Sequence, residues 1–210
     1  MDNLEILHST LGFYTCISVD IFVDFVDNVN YCINCKEKNM DKNNIILIGM
    51  PACGKTTIGK ILSKSIHKNF IDTDYLLEKS IKLSPREIVI RYGEEFFLNK
   101  QEEILLASDF SNAVVSTGGS VVYSKKLMQK FDQCGLIVYL KDSVDQLSKR
   151  LADGRRIIGS ADNDFAKLYR QRDMLYAKYA HRIVDCSNHY LADMAKMIQM
   201  EVIQHGQYNW

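Results

Sequence analysis

Short apolar runs recur along the chain from about residue 44 onward, and segments with helical spacing of apolar residues separate them. Runs such as Ile45-Ile46-Leu47-Ile48, which ends at a glycine, are typical of strands buried on both faces of a parallel sheet. The pattern predicts five strands, at 45–48, 70–71, 113–116, 136–140 and 183–184.

Amphipathic segments between these strands predict helices. In the first of them Ile58, Ile61, Leu62 and Ile66 fall on one helical face, and further on Ser84-Pro85 is typical of an N-cap followed by a first helical residue. The predicted helices cover 55–66, 84–91, 94–110, 124–131, 144–151, 164–179 and 191–203. Strands that alternate with helices indicate an α/β fold in which a parallel, five-stranded sheet carries helices on both faces.

The first part of the chain does not share this alternation. We place a domain boundary near residue 42, and we expect residues 1–42 to be an N-terminal extension, disordered or loosely docked, ahead of a domain at 43–210. Cys32 and Cys35 form a lone C-x-x-C pair in the extension. A structural zinc ion normally takes four ligands and no second pair is near, so we do not expect a metal site there.

A glycine-rich loop follows the first predicted strand. Residues 49–56 match the phosphate-loop pattern G-x-x-x-x-G-K-[ST], between a strand and a helix as that pattern requires. Small residues let main-chain N–H groups curl around phosphate oxygens. We expect ATP to bind here, with Lys55 against its β- and γ-phosphates and Thr56 as a Mg²⁺ ligand. The nucleotide-binding residues predicted in this loop are Gly49, Ala52, Cys53, Gly54, Lys55, Thr56 and Thr57.

Two aspartates, Asp72 and Asp74, follow the second predicted strand. At the carboxyl end of a strand, Asp72 can hold Mg²⁺ directly or through water, while Asp74 can orient an acceptor hydroxyl or take its proton. The alternative interpretation is a pair of solvated turn residues. The position of the pair, about twenty residues after the phosphate loop, favours the catalytic interpretation.

Composition narrows the choice of partners. The sequence has 26 basic and 26 acidic residues, so its formal net charge is zero and gives no reason to expect a nucleic-acid or anionic-membrane surface. The apolar stretch 11–29 is interrupted by Asp20, Asp24 and Asp27, which argues against a membrane span. Six scattered cysteines fit a reducing compartment better than a disulfide scaffold, so we expect a cytoplasmic protein.

The order of several motifs resembles that of shikimate kinase, over roughly residues 44–204. The motifs are the phosphate loop, Asp72-Thr73-Asp74, Gly93-Glu94-Glu95-Phe96-Phe97, Ser116-Thr117-Gly118-Gly119-Ser120 and Arg172-Asp173-Met174-Leu175-Tyr176. The resemblance implies a three-layer P-loop kinase fold with a mobile lid, and a monomer. It also implies that ATP phosphorylates a hydroxyl of a small carboxylated acceptor, shikimate giving shikimate 3-phosphate.

The resemblance further implies roles for single residues. Asp72 matches the aspartate that supports Mg²⁺, and Asp74 the one that binds the acceptor's hydroxyl groups. Gly118 and Gly119 match glycines that line the acceptor pocket, and Arg172 matches an arginine that binds the acceptor's carboxylate, as a planar guanidinium can do bidentately.

Three more arginines match positions on the nucleotide side in this resemblance. Arg156, with Arg155 as the alternative, falls where the lid arginine reaches over the phosphates, and Arg150 where an arginine stacks on adenine. Ile157 stands where the family usually has a proline after the lid arginine. The resemblance therefore predicts Lys55, Asp74 and Arg156 as the catalytic residues.

The sequence departs from the family where the acceptor would bind. Ser120 replaces the third glycine, and the family's F-R-x-x-E pattern lacks its arginine. In the simple register Leu98 and Gln101 replace the arginine and the glutamate; with one inserted residue the positions fall on Asn99 and Glu102. Lys100 could substitute as a point charge, though without the guanidinium's fork. The alternatives to a shikimate kinase are a kinase with another acceptor and a non-catalytic nucleotide-binding relative.

Overall fold

A computed structural model describes residues 43–151, 164–187 and 189–204. The strands of this part are β1 (Asn44–Ile48), β2 (Asn69–Asp72), β3 (Ala113–Ser116), β4 (Gly135–Lys141) and β5 (Arg182–Asp185). The α-helices are α1 (Lys55–Ser65), α2 (Thr73–Ile81), α3 (Pro85–Tyr92), α4 (Glu94–Ala107), α5 (Lys125–Cys134), α6 (Val144–Leu151), α7 (Phe165–Tyr179) and α8 (Leu191–Gln204). A 3₁₀ turn covers Val121–Tyr123.

The five strands form one parallel sheet in the order β2-β3-β1-β4-β5. Strands β1 and β3 are buried along their whole length, as is β4 up to its last residue, which explains their nearly continuous apolar sequences. Helix α1 packs against β2, β3 and α8, while α5 and α7 pack against β4. The predicted α/β class, with its five parallel strands and flanking helices, is confirmed. None of the helices described is long and apolar enough to cross a membrane.

The strand register determines where the functional residues meet. Leu47 in β1 and Asp72 in β2 both lie level with Ser116, the last residue of the intervening strand β3. The phosphate loop after β1, the aspartates after β2 and the glycines after β3 therefore emerge at one edge of the sheet. In open parallel sheets, ligands bind outside the carboxyl ends of the strands.

A buried asparagine fixes the opposite edge of the sheet. The Asn44 side chain is fully buried, and its amide donates hydrogen bonds to the carbonyl groups of Phe110 (2.9 Å) and Cys134 (3.0 Å). Its oxygen accepts one from the N–H of Ala113 at 2.9 Å. Both polar atoms of the amide are thus satisfied by three hydrogen bonds, so this buried side chain links the starts of three strands instead of destabilising the core.

The element prediction was wrong or incomplete in a few places. Helix α2 was not predicted, because Asp72 and Asp74 were assigned to a strand end, whereas Asp72 also caps this helix. Helix α4 ends at Ala107 instead of running to 110, since Ser108 is extended and Phe110 turns into the core. Helix α5 runs three residues beyond the predicted end at 131, to Cys134. The predicted extension at 1–42 and its cysteine pair lie outside the described residues, so the boundary near 42 stays a prediction.

Candidate active site

The phosphate loop has the backbone that its sequence pattern predicts. Gly49 and Gly54 have φ of 148° and 95°, and Ala52 also has a positive φ, at 65°. A side chain at Gly49 would place its Cβ 2.7 Å from the carbonyl oxygen of Leu140, so only glycine fits there. Helix α1 starts after Gly54 with no side chain capping its first N–H groups. These free N–H groups at a helix N-terminus form a site for an anion.

Lys55 lies folded over this loop. Its ammonium group donates to the carbonyl oxygens of Gly49 (2.9 Å) and Met50 (2.8 Å), and its side chain is almost fully buried. The Cys53 thiol lies 3.6 Å from the same nitrogen and is fully buried beneath the loop. The cation is therefore held where a phosphate on the helix terminus would meet it, whereas Cys53 and Gly49 shape the loop and offer only main-chain atoms to a ligand.

Hydroxyl and carboxylate oxygens converge beside the loop. The Thr56 hydroxyl donates to Asp72 Oδ2 at 3.0 Å and lies 3.3 Å from the Ser116 hydroxyl. Hard oxygen donors of this kind suit Mg²⁺, which keeps several waters and is shared with phosphate oxygens in nucleotide sites. The described residues contain no group of three or more His, Cys, Asp and Glu that could bind a metal ion alone. The donor set thus fits a magnesium ion that arrives with its nucleotide.

The two aspartates make different contacts. Asp72 Oδ1 accepts hydrogen bonds from the N–H groups of Asp74 (3.0 Å) and Tyr75 (3.5 Å), which caps helix α2 and leaves Oδ2 for Thr56. Asp74 lies in the cleft itself. Burial raises the pKa of its carboxyl from 3.8 to about 6, with a further increase from the Asp72 charge that Lys55 partly offsets. A carboxyl with a pKa near neutrality is suited to accepting a proton at physiological pH.

The glycines after β3 lie against Asp74. A Cβ on Gly118 would stand 2.5 Å from Asp74 Oδ1, and one on Gly119 would stand 3.2 Å from Arg172 Nη1. The N–H of Gly118 donates to the Thr73 hydroxyl at 2.9 Å, which ties the glycine turn to the start of α2. Side chains at these two positions would therefore crowd the carboxylate and the guanidinium.

Arg172 is held rigidly behind this turn. It is about 1% exposed, its Nε donates to the Tyr123 hydroxyl at 3.0 Å, and its guanidinium carbon lies 5.0 Å from the centroid of that ring. The Tyr176 hydroxyl, one helical turn away on α7, donates to the Gly119 carbonyl at 2.6 Å. These contacts fix the arginine next to Gly119, but Arg172, like Gly49 and Cys53, is not among the residues that line the cleft, so its binding of an acceptor carboxylate stays a prediction.

The structure distinguishes the two registers left open at the missing arginine. Gln101 is fully buried beside Gly118 and Asp74, whereas the carboxylate of Glu102 accepts a hydrogen bond from the Ser124 hydroxyl at 2.6 Å. The simple register is the one supported, so Leu98, which is half-buried against the core, stands in the arginine's place. Lys100 is 37% exposed and pairs with Glu103, so it does not replace the missing cation.

Ser120 occupies the third glycine position without strain. Its φ of −89° and ψ of −8° are accessible to any residue, and its hydroxyl donates to Gln101 Oε1 at 3.0 Å. The two departures from the family, at 101 and 120, are therefore in direct contact.

One cleft of about 650 Å³ brings most of these groups together. Arg150 lines it and is anchored by Asp142, whose Oδ2 accepts from Nη1 at 2.6 Å. The predicted site residues that line the cleft are Ala52, Gly54, Lys55, Thr56, Thr57, Asp72, Asp74, Gly118, Gly119 and Arg150. The lining residues that were not predicted are Pro51, Ser116, Thr117, His189, Leu191 and Met194. Arg156, predicted as the lid arginine, and its alternative Arg155 lie outside the described residues.

Similarity to known proteins agrees with this geometry. The sequence profile of the shikimate kinase family matches residues 51–202. A shikimate kinase of Clostridium botulinum (strain Okra) is 37% identical over 162 residues, which is 74% of this chain and 94% of that protein. One of Alkaliphilus oremlandii is 42% identical over 99 residues, 47% of this chain and 59% of that protein.

Solved structures show the same similarity in three dimensions. A shikimate kinase from Acinetobacter baumannii in complex with shikimate superposes with a TM-score of 0.72 at 25% identity, covering 80% of this chain and 97% of that one. The Aquifex aeolicus shikimate kinase gives 0.68 at 25% identity, covering 79% and 99%. Since the profile, the sequence relatives and the structures all agree with the cleft described above, the chain belongs to the shikimate kinase family.

Proposed function

We propose that this chain transfers the γ-phosphoryl group of ATP to a hydroxyl group of shikimate. One observation carries the proposal: the same cleft contains an uncapped helix terminus with Lys55 on one side and Asp74 with Gly118 and Gly119 on the other. The first group of residues suits a polyphosphate and the second suits a hydroxylated acceptor. Such an arrangement allows in-line attack of the hydroxyl on the γ-phosphorus.

The nucleotide side acts by binding and by charge. The N–H groups at the start of α1 and the Lys55 ammonium hold the phosphate oxygens, and Arg150 lies beside them for the adenine base. Thr56 and Asp72 are the residues that would hold Mg²⁺, which when bound neutralises charge on the β- and γ-phosphates. Arg156, or else Arg155, is proposed to add a further positive charge from the lid.

The acceptor side orients the nucleophile. Asp74 accepts a hydrogen bond from the attacking hydroxyl and takes its proton as the new P–O bond forms. Arg172 holds the acceptor's carboxylate, which fixes the distance and direction between the hydroxyl and Asp74. Because the pKa of Asp74 is raised to about 6, the carboxyl is largely ionised at neutral pH and ready to take a proton.

A coupled assay of ADP release over a panel of hydroxylated acceptors tests the proposal. We expect turnover with shikimate, with release of ADP and a product that carries the phosphate on one of the hydroxyl groups of the ring. ATP binding without turnover of any acceptor would contradict the proposed activity and favour a non-catalytic role.

A kinase for a different acceptor is the second candidate. It is favoured by Leu98, an apolar side chain where the family carries a carboxylate-binding arginine. The loss of one charge-assisted contact costs about 1.5–3 kcal/mol, or roughly ten- to a hundredfold in affinity. Turnover of another alcohol in preference to shikimate in the same panel would support this candidate.

A further inference from the structure

Gln101 stands out because half of its side-chain amide is unsatisfied. The residue lies on α4 and is about 1% exposed, and its Oε1 accepts the hydrogen bond from Ser120. Its Nε2 has no hydrogen-bond partner among the described residues. A buried donor without a partner is unfavourable and uncommon in folded proteins, so this one needs an explanation.

The unpaired nitrogen lies next to Gly118, which lines the cleft together with Asp74. The position that a Cβ on Gly118 would occupy is 3.0 Å from Gln101 Nε2 and 2.5 Å from Asp74 Oδ1. The amide donor and the carboxylate acceptor therefore both lie next to Gly118. Small rotations about the terminal torsions of the two side chains, which are soft for Gln and Asp, change the distance between them.

The Ser120 hydroxyl, which can donate or accept, anchors one end of the amide, and the Asp74 carboxylate determines which end faces it. Turning the amide over would bring its oxygen towards the carboxylate, where two acceptors repel each other. The observed orientation pairs Oε1 with the Ser120 hydroxyl and leaves the N–H₂ group towards the carboxylate. Serine at 120 thus supplies a hydrogen bond that a glycine at this position cannot.

The neutral character of Gln101 fits its neighbours. A carboxylate at this buried position would lie close to Asp74, where like charges disfavour ionisation. Position 98, one helical turn earlier, holds a leucine and so provides no compensating cation. An amide is nearly the same shape as a carboxylate but adds a donor instead of a negative charge.

We propose that Gln101 and Ser120 form a positioning pair for Asp74. Ser120 fixes the amide, and the Gln101 N–H donates to one oxygen of the Asp74 carboxylate when the other oxygen engages the acceptor hydroxyl. Gln101 is a positioning residue, since it acts through Asp74 without touching the reacting atoms. The inference rests on the proposed function and names the residues that complete its acceptor side.

Steady-state kinetics of Gln101→Leu, Ser120→Ala and the double variant test the pair. We expect kcat to fall about tenfold for Gln101→Leu, which loses a hydrogen bond to the Asp74 carboxylate, and about threefold for Ser120→Ala, which loses a neutral one, while the KM for ATP stays unchanged. The double variant should be no slower than Gln101→Leu, because Ser120 acts only through Gln101. Gln133→Leu is the matched control, since Gln133 also has an unpartnered buried amide atom but lies near the end of α5, just before β4 begins, at the sheet edge opposite the cleft.

Gln101→Glu separates positioning from packing. It keeps the shape of the side chain, so a packing role predicts near wild-type activity, whereas a positioning role predicts a kcat below that of Gln101→Leu at pH 8. Should Gln101→Leu fail to fold, Ser120→Ala, which removes one hydroxyl group, still decides the question.

The outcomes distinguish this inference from the proposed function. Wild-type protein that phosphorylates no acceptor overturns both. Wild-type protein that phosphorylates shikimate, with kcat unaltered in Gln101→Leu and Ser120→Ala, or with fully additive losses in the double variant, overturns the positioning pair alone.

Discussion

The nucleotide side and the acceptor side of the cleft differ in how they are built. The phosphate loop on the nucleotide side consists of main-chain N–H groups and of glycines with positive φ in one contiguous segment, and it keeps the phosphate-loop pattern in full. The acceptor side is assembled from side chains on α2, α4, the 3₁₀ turn and α7, and it departs from the pattern at 98, 101 and 120. A site made of backbone tolerates little change, whereas a site made of separate side chains can exchange one set of contacts for another.

Among the variants that test whether the nucleotide side and the acceptor side act separately, Asp74→Ala is expected to have the largest effect. Removal of the group that is proposed to orient and deprotonate the hydroxyl should lower kcat by a factor of about 10²–10⁴, while the affinity for ATP stays near that of the wild type. Turnover and equilibrium nucleotide binding are measured on the same preparation. Asp145→Ala, which removes an exposed acid on α6, is the control. A large loss of ATP affinity in Asp74→Ala would show that the two sides do not act separately.

The second effect concerns the carboxylate site. Arg172→Lys keeps the charge but loses the planar fork, so we expect kcat/KM for the acceptor to fall roughly ten- to a hundredfold with little change in the KM for ATP. Arg170→Lys, an exposed neighbour on the same helix, should leave both unchanged. An equal loss in the two variants would point to helix stability instead of carboxylate binding.

The third effect is a pH dependence that belongs to the acceptor side. Because Asp74 must be ionised to take a proton and its pKa is raised to about 6, kcat/KM for the acceptor should fall about tenfold per pH unit as the pH drops below 6. At pH 5 the loss is therefore about tenfold. In Asp74→Asn the remaining activity should not show this titration between pH 5 and 8. An acid limb that persists in this variant would assign the titration to another group.

The sequence predicted the nucleotide side of the cleft better than the acceptor side. The position of the phosphate loop, between a strand and a helix and at the cleft, was predicted because all of its residues are contiguous in the sequence. The aspartate pair was recognised, but not helix α2, because the sequence does not reveal that Asp72 caps a helix as well as contacting Thr56. His189, Leu191 and Met194 reach the cleft only because α8 packs on α1, a contact between distant parts of the chain.

The contacts on the acceptor side could not be predicted from the sequence, because they depend on how separate elements pack against each other. In the sequence, Gln101 and Glu102 are adjacent polar residues on one helix, and either could align with the family's glutamate. Only the rotation of α4 against the 3₁₀ turn places one beside Asp74 and the other beside Ser124. The Ser120–Gln101 hydrogen bond joins positions 19 residues apart, and no local sequence pattern predicts it.

The smallest effect is expected for a variant that restores the family's arginine on the acceptor side. Leu98→Arg places a guanidinium on the face of α4 that carries Gln101, and we expect the KM for shikimate to fall about three- to tenfold. A full charge-assisted contact would lower the KM further, but the loss of a half-buried leucine and the ordering of a new side chain offset part of this gain. The gain should vanish for an acceptor analogue that lacks the carboxylate.

Asn99→Arg is the matched control, because it adds the same charge one residue further on, at an exposed position. Successive helix residues point about 100° apart, so an arginine at 99 should not reach the acceptor and the KM should stay unchanged. If Asn99→Arg lowered the KM for shikimate and Leu98→Arg did not, the register that places Leu98 in the arginine's position would be wrong. In that case Gln101 would no longer align with the family's glutamate, although its contact with Ser120 would remain.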